Sequence, residues 1–212
     1  MAEDLIFYAN PMSRARIARW MLEEVGAPYR TEWLTFDGSM KSPDYLAINP
    51  MGKVPCIRHG KTIVTEAAAI CAYLADAFPE AGLAPPTDQR GDYYRWPFFA
   101  AGPLEMAVSI KAFGLEVPKE RHRSIGCGSY ESVMDTLAYA VTQHPYITGD
   151  SFTAADVYVG AHISWGLQFG SLEPRPEFKA YWDRLKERPA SKRATAIDDE
   201  EMHRQLAAAK AG

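Results

Sequence analysis

Residues 49–69 read Asn49-Pro50-Met51-Gly52-Lys53-Val54-Pro55-Cys56-Ile57-Arg58-His59-Gly60-Lys61-Thr62-Ile63-Val64-Thr65-Glu66-Ala67-Ala68-Ala69, a passage from loop through two short runs into a helix start. Gly52 marks a turn and Val54 to Ile57 is the first apolar run. His59-Gly60-Lys61 is a hairpin turn, and Ile63-Val64 is a second run closed by the polar helix entry Thr65-Glu66. The stretch predicts a β-hairpin that delivers a helix. Pro55 is the residue that fits an ordinary strand badly, because it opens an apolar run and has no N–H to give to a ladder. Either it lies on an edge with a trans bond, or a cis Val54–Pro55 bond turns the N–H and C=O of Val54 outward. In the second case an extended peptide ligand can pair with Val54 as an added strand.

Outward from this stretch the punctuation continues in both directions. Residues 5–8 form an apolar strand, residues 10–13 turn, and a helix over 14–25 carries Ile17, Trp20, Met21 and Val25 on one face before Gly26 ends it. A second strand from Tyr29 to Leu34 completes β-α-β, so the two strands are expected to be parallel. An irregular connection over 36–48 holds a short helix near 43–46. The helix after the hairpin spans 66–78, with Ile70, Tyr73, Leu74, Ala77 and Phe78 as its stripe. Residues 4–78 therefore read β-α-β-α-β-β-α, the order of a thioredoxin-like domain.

Pro79-Glu80-Ala81-Gly82-Leu83-Ala84-Pro85-Pro86 breaks every regular pattern and marks a linker over 79–87. From residue 88 onward the patterns are helical. A long candidate over 91–113 is interrupted by Pro97 and Pro103, and another covers 126–143. Thr153 and Asp156 make a capping box for a helix that is apolar nearly all round. Phe178, Tyr181, Trp182 and Leu185 mark a further buried stripe, and residues 198–210 read as an exposed helical tail. The expected architecture is an α/β thioredoxin-like N-terminal domain over 1–78 and an all-α C-terminal domain over 88–212.

With 23 basic and 27 acidic residues, a net charge of −4 and no basic run, nothing suggests a nucleic-acid or anionic-membrane surface. The apolar run over 67–75 is too short to span a bilayer, and Met1-Ala2-Glu3-Asp4 is acidic where a secretory signal is basic, so a cytoplasmic protein is expected. Cys56, Cys71 and Cys127 are odd in number, far apart and without C-x-x-C spacing. That argues against a disulfide framework or a zinc site, and the histidines show no ligand spacing, so no metal is expected.

Asn-Pro-x-Gly-Lys-Val-Pro followed by Thr-Glu-Ala-Ala-Ala-Ile at this spacing resembles the glutathione-binding half of the glutathione S-transferase family, and the helical second half extends the resemblance over almost the whole chain. The resemblance implies a cis Pro55, with Val54 pairing to the cysteinyl backbone of glutathione. It also implies that Glu66 and Ala67 hold the γ-glutamyl end. The family's usual serine after the acid is Ala67 here, which leaves its backbone N–H at a helix N-terminus to take the carboxylate. Lys41 and Lys53 are candidates for the glycyl carboxylate. The resemblance further implies a homodimer and a small hydrophobic electrophile as second substrate, for which Met12, Tyr94, Trp96, Phe98, Phe99 and Trp165 are candidates.

Thioredoxin-like proteins that do their own redox work place C-x-x-C in the turn before the first helix, whose N-terminus lowers the thiol pKa. Here that turn is Asn10-Pro11-Met12-Ser13, so the reactive thiol must come with the ligand. A donor aimed at the sulfur of glutathione favours its thiolate, and a shift of two units needs only about 2.7 kcal/mol. Ser13 leads as that donor, with Asn10 and Tyr8 as alternatives. All three have ordinary structural roles open to them, as helix cap, turn former and packed strand residue respectively.

Overall fold

The computed structural model describes residues 4–36 and 38–211, so Met1, Ala2 and Glu3 of the acidic start lie outside the described residues. The described residues up to 81 and from 187 onward form one compact unit, and residues 82–186 form another.

In the first unit β1 (Leu5–Ala9) is buried at every position because it has neighbours on both sides. After α1 (Ala15–Val25), β2 (Arg30–Trp33) lies parallel to β1 with Thr31 opposite Phe7. Gly26 closes α1 at φ 67°, giving its N–H to the carbonyl of Leu22 at 3.1 Å. A short α2 (Pro43–Leu46) follows, capped by the Ser42 hydroxyl, and leads to β3 (Cys56–His59), antiparallel to β1. The hairpin then returns as β4 (Thr62–Thr65) and delivers α3 (Ala67–Ala77), completing the expected order with the sheet arranged β2-β1-β3-β4.

Alternation along β1 divides its side chains between two faces. Ile6 and Tyr8 join Met40, Tyr45 and Cys56, with Leu34, Ile48 and Val54 packed against them. Phe7 takes the other face, where the Arg19 guanidinium of α1 lies 4.9 Å from its ring centre. On α3 the inward residues are Ala67, Ile70, Cys71, Leu74 and Ala75. Tyr73, expected in that stripe, instead meets the hairpin through its hydroxyl, 3.0 Å from Nδ1 of His59.

In the second unit the helix expected over 91–113 is divided into α4 (Gly91–Phe99), a π turn at Ala100–Leu104 and α5 (Glu105–Ala112). Pro103 sits in the π turn, where the regular ladder is already broken, while Pro97 is carried inside α4. Next come α6 (Tyr130–Thr142) and α7 (Ala154–Phe169), the latter with the Thr153–Asp156 capping box in place. α7 is buried without interruption from Ala154 to Ala161. A Cβ on its Gly166 would lie 2.0 Å from Cδ1 of Leu172, so the returning chain packs where only glycine fits. α8 (Pro176–Leu185) starts on its proline and buries Phe178, Tyr181 and Leu185.

The last helix, α9 (Pro189–Ala211), is exposed over residues 206–210 as expected of a tail, but its earlier part is not, Asp198 and Glu201 being buried. It packs on α1 in the first unit, with Ala190, Ala194, Asp198 and Glu201 inward. Residues 187–212 thus associate with the sheet-bearing unit, departing from the expected boundary. The inward face is small and polar, which is why hydrophobic periodicity does not reveal it. Its anchor is a salt bridge from Arg19 Nε to Asp198 Oδ1 at 2.7 Å, both side chains 1% exposed. The same guanidinium donates to the hydroxyls of Tyr29 and Thr31 and lies against the Phe7, Tyr29 and Trp33 rings.

Candidate functional site

The register of the sheet brings three separate segments to one end of it. Tyr8 is opposite Cys56, and Cys56 is opposite Thr65; β1 and β4 run toward that end and β3 runs away from it. The turn over 10–13 after β1, the Val54–Pro55 pair before β3 and the Glu66–Ala67 helix start after β4 therefore leave the sheet on the same side. β2 ends there too, the Leu34 amide donating to the Ala9 carbonyl at 2.8 Å.

At this end of the sheet the three candidate donors, Tyr8 in β1 and Asn10 and Ser13 in the turn, differ in their surroundings. Asn10 is 1% exposed. Its Nδ2 donates to the Leu34 carbonyl at 2.7 Å and its Oδ1 accepts from the Met12 amide at 2.9 Å, which makes it the residue that shapes the turn. The half-buried Ser13 hydroxyl donates to the Asn10 carbonyl at 2.7 Å and accepts from the Ala15 amide at 3.1 Å. A hydroxyl rotates freely, so its single proton can be redirected to a ligand atom while the Ala15 bond is kept. Tyr8 packs with its ring centre 5.5 Å from that of Tyr45 in the buried cluster.

The Val54–Pro55 bond is cis, as the resemblance implies. Ladder pairing of β3 begins at Cys56, so Val54 stands outside it, with its side chain against the Tyr8 cluster. The preceding loop is closely held. The Lys53 carbonyl accepts from Tyr45 Oη at 2.6 Å and from Asn49 Nδ2 at 2.7 Å, while Lys41 Nζ donates to the carbonyls of Met51 at 3.2 Å and Gly52 at 2.8 Å. Burial pushes the Tyr45 hydroxyl well above its usual range and the Cys56 thiol up to about 12, so Tyr45 acts as a neutral donor and Cys56 as an inert packed thiol. Gly52 at φ 57° is required here, because a Cβ would meet the Met40 carbonyl at 2.7 Å. Lys41, read as a ligand candidate, already spends its ammonium on this loop. Lys53 is exposed.

Glu66 opens α3 at φ 67° and ψ 120°, the only non-glycine residue with positive φ among the described residues. Its side chain is exposed, and such a backbone costs a non-glycine residue of order 1–3 kcal/mol. Its carbonyl accepts from the Ile70 amide at 2.9 Å, and Ala67 follows as the first residue of the helix. Sequence reasoning missed Asn49 and Tyr45 as holders of the loop and Arg16, which donates from Nε to the Pro11 carbonyl at 2.5 Å. The position of Arg16 one helical turn after Ser13 was the available signal. Among the described residues no group of three or more His, Cys, Asp or Glu is placed to hold a metal.

Residues 11–77 match the family description "Glutathione S-transferase, N-terminal domain". Glutathione S-transferase A of Pleuronectes platessa is 31% identical over 176 residues, covering 77% of this chain and 78% of that protein. The chain belongs to the glutathione S-transferase family. A theta-class glutathione S-transferase from Xanthomonas axonopodis pv. citri, solved with glutathione bound, is similar at a TM-score of 0.71 and 26% identity, over 91% of this chain and 97% of that one. A glutathione transferase from Phanerochaete chrysosporium shares the fold at a TM-score of 0.77 and 23% identity, over 93% and 97% of the two chains.

The side chains read as an electrophile surface divide by exposure. Met12 in the first unit is 46% exposed; in the second, Tyr94 is 47% and Phe98 73% exposed. Phe99 and Trp165 are half-buried. Trp96 is 4% exposed and packs edge-on with Phe99 at 5.9 Å, which gives it a role in the packing of α4.

Proposed function

We propose that this chain binds glutathione in its first unit, holds it as the thiolate and adds it to a small hydrophobic electrophile. The observation that carries the reading is the arrival, at one end of the sheet, of a first turn without cysteine, a cis Val54–Pro55 bond and a Glu66 held at positive φ. In this reading the Val54 backbone pairs with the cysteinyl residue, and Glu66 binds the γ-glutamyl amine. The Ala67 N–H takes the γ-glutamyl carboxylate at the positive end of α3, and Lys53 takes the glycyl carboxylate. Ser13 turns its proton from the Asn10 carbonyl to the sulfur. The thiolate lone pair then forms the carbon–sulfur bond as the leaving group departs with its electron pair, and the thiol's proton has gone to solvent. Met12, in the turn of the first unit, is the exposed apolar group beside the thiolate that would meet the electrophile. A homodimer belongs to the same reading, supported by the exposure of Phe98 at 73% and Phe113 at 76%; light scattering should return twice the chain mass.

Calorimetric titration with glutathione tests binding, and thiolate absorbance of the complex against pH tests activation. Ser13→Ala is expected to raise the bound thiol's pKa with little loss of affinity. Glu66→Ala is expected to weaken affinity about tenfold or more and spare the pKa, since it removes a charge partner far from the sulfur. No heat at millimolar glutathione refutes the reading. Reduction of a disulfide substrate without conjugation of an aromatic halide would transfer the thiolate's attack from carbon to sulfur.

A further inference from the structure

We propose that Arg16 is a positioning residue: it ties the turn over 10–13 to α9, and the acidity of a thiol bound at that turn depends on the tie. This rests on the reading of the turn as a glutathione thiol site. Besides the Ser13 hydroxyl itself, three side-chain groups hold the turn. Two belong to Asn10, and their partners, Met12 and Leu34, lie within the sheet and turn themselves. The third is Arg16, whose Nε donates to the Pro11 carbonyl at 2.5 Å while its terminal nitrogen pairs with Asp199 Oδ1 at 2.7 Å and lies 3.8 Å from Met202 Sδ. One rigid fork thus bridges the carbonyl two residues before Ser13 and a carboxylate more than 180 positions along the chain.

The anchor at the far end is fixed. α9 is held on α1 by the buried Arg19–Asp198 pair, and the segment leading into it is held by Arg188 on both oxygens of Glu24 at 2.7 and 2.8 Å. Arg193 on Glu23 adds a third tie at 3.0 Å. Asp199 therefore presents its carboxylate from a supported helix, and the guanidinium is aimed rather than free to wander. Ser13 lies just before α1 and Arg16 in its first turn, the Arg16 amide donating to the Ser13 carbonyl at 3.3 Å, so a shift of the Pro11 peptide carries to the hydroxyl that would face sulfur. A donor displaced by even a few tenths of an ångström loses part of its preference for the thiolate.

The test uses the full chain and titrates bound glutathione by thiolate absorbance in Arg16→Gln, Arg16→Lys, Asp199→Asn and Asp199→Glu. Arg16→Gln and Asp199→Asn are expected to raise the bound thiol's pKa by about half a unit to one unit, with kcat falling in step and the KM for glutathione moving less than about twofold. Arg16→Lys keeps the charge without the fork and should behave like Arg16→Gln, whereas Asp199→Glu should restore most of the native titration. Asp199→Asn guards against a misfolded Arg16 variant, because a half-exposed pair adds little to stability. Normal binding with an unchanged titration in all variants overturns the inference alone. Loss of affinity and melting temperature without a pKa change also overturns it, in favour of a structural role. Failure of the unmodified protein to bind glutathione overturns the inference and the reading beneath it together.

Discussion

Replacing Asp156 should be the most costly single change in the second unit. Its carboxylate is fully buried and accepts four hydrogen bonds: Oδ1 from the Ile147 amide at 2.8 Å and Tyr181 Oη at 2.6 Å, Oδ2 from the Thr153 amide at 2.8 Å and the Thr153 hydroxyl at 3.1 Å. In Asp156→Ala the Thr153 hydroxyl can turn to Thr148 Oγ1, 3.2 Å away, but the two amides and the Tyr181 hydroxyl lose their partner. A buried donor left without an acceptor costs about 1–3 kcal/mol, so three such donors near the low end of that range amount to about 4 kcal/mol. Asp156→Asn keeps an acceptor on the Oδ1 side and sets an NH2 against the Thr153 amide, for a loss of about 2 kcal/mol.

Urea unfolding followed by far-UV dichroism and tryptophan fluorescence measures both losses. A loss below about 1 kcal/mol for Asp156→Ala would refute the view of the carboxylate as the acceptor that organises this unit. The sign of its pH dependence is a second check. Burial raises the Asp156 carboxyl above its ordinary value of 3.8 by more than the four bonds lower it. Between 3.8 and the raised value the native state therefore binds more protons than the unfolded chain, and lowering the pH through that window favours the native state. The stability advantage of the native residue over Asp156→Asn should be smallest near neutral pH and grow as the medium is acidified, levelling off below 3.8. The opposite trend would mean that the hydrogen bonds outweigh burial.

Asp198→Ala should cost about 3–5 kcal/mol by leaving the Arg19 guanidinium buried without its charge partner, whereas Asp199→Ala, from a half-exposed pair, should cost less than about 1 kcal/mol; equal losses in urea unfolding would refute the assignment of Asp198 as the anchor of α9. Gly52→Ala should destabilise the first unit by at least about 2 kcal/mol, because the new Cβ meets the Met40 backbone and the residue must hold positive φ; a melting curve that matches the native one would show that the loop yields. Cys56 and Cys71, buried and with thiols pushed well up, should resist an aromatic disulfide reagent at neutral pH until urea is added, and rapid labelling of either, read by mass spectrometry, would contradict their packing.

Legibility followed the range over which each feature is determined. Gly52, Pro55, Gly60 and the capping residues at 153 and 156 act on their own backbone or on neighbours a few positions away, and the hairpin, the helix after it and the start of α7 were readable from them. Ser13 led Asn10 and Tyr8 only narrowly, since all three side chains hydrogen-bond and all three stand in or beside the first turn. The Leu34 carbonyl distinguishes Asn10, and it lies 24 positions away. The positive φ of Glu66 leaves no trace in composition because glutamate is not a residue chosen for it; only the sheet and helix on either side impose it. The earlier part of α9 was misjudged for a related reason. Its buried face is alanine, serine and two carboxylates, and the charge that makes that face stable belongs to Arg19, 179 residues earlier. The same separation applies inside the site. The candidate ligand contacts Ser13, Val54 and Glu66 stand beside turns that the sequence marks, whereas the tie between Arg16 and Asp199 joins α1 to the last helix and shows only in the folded chain.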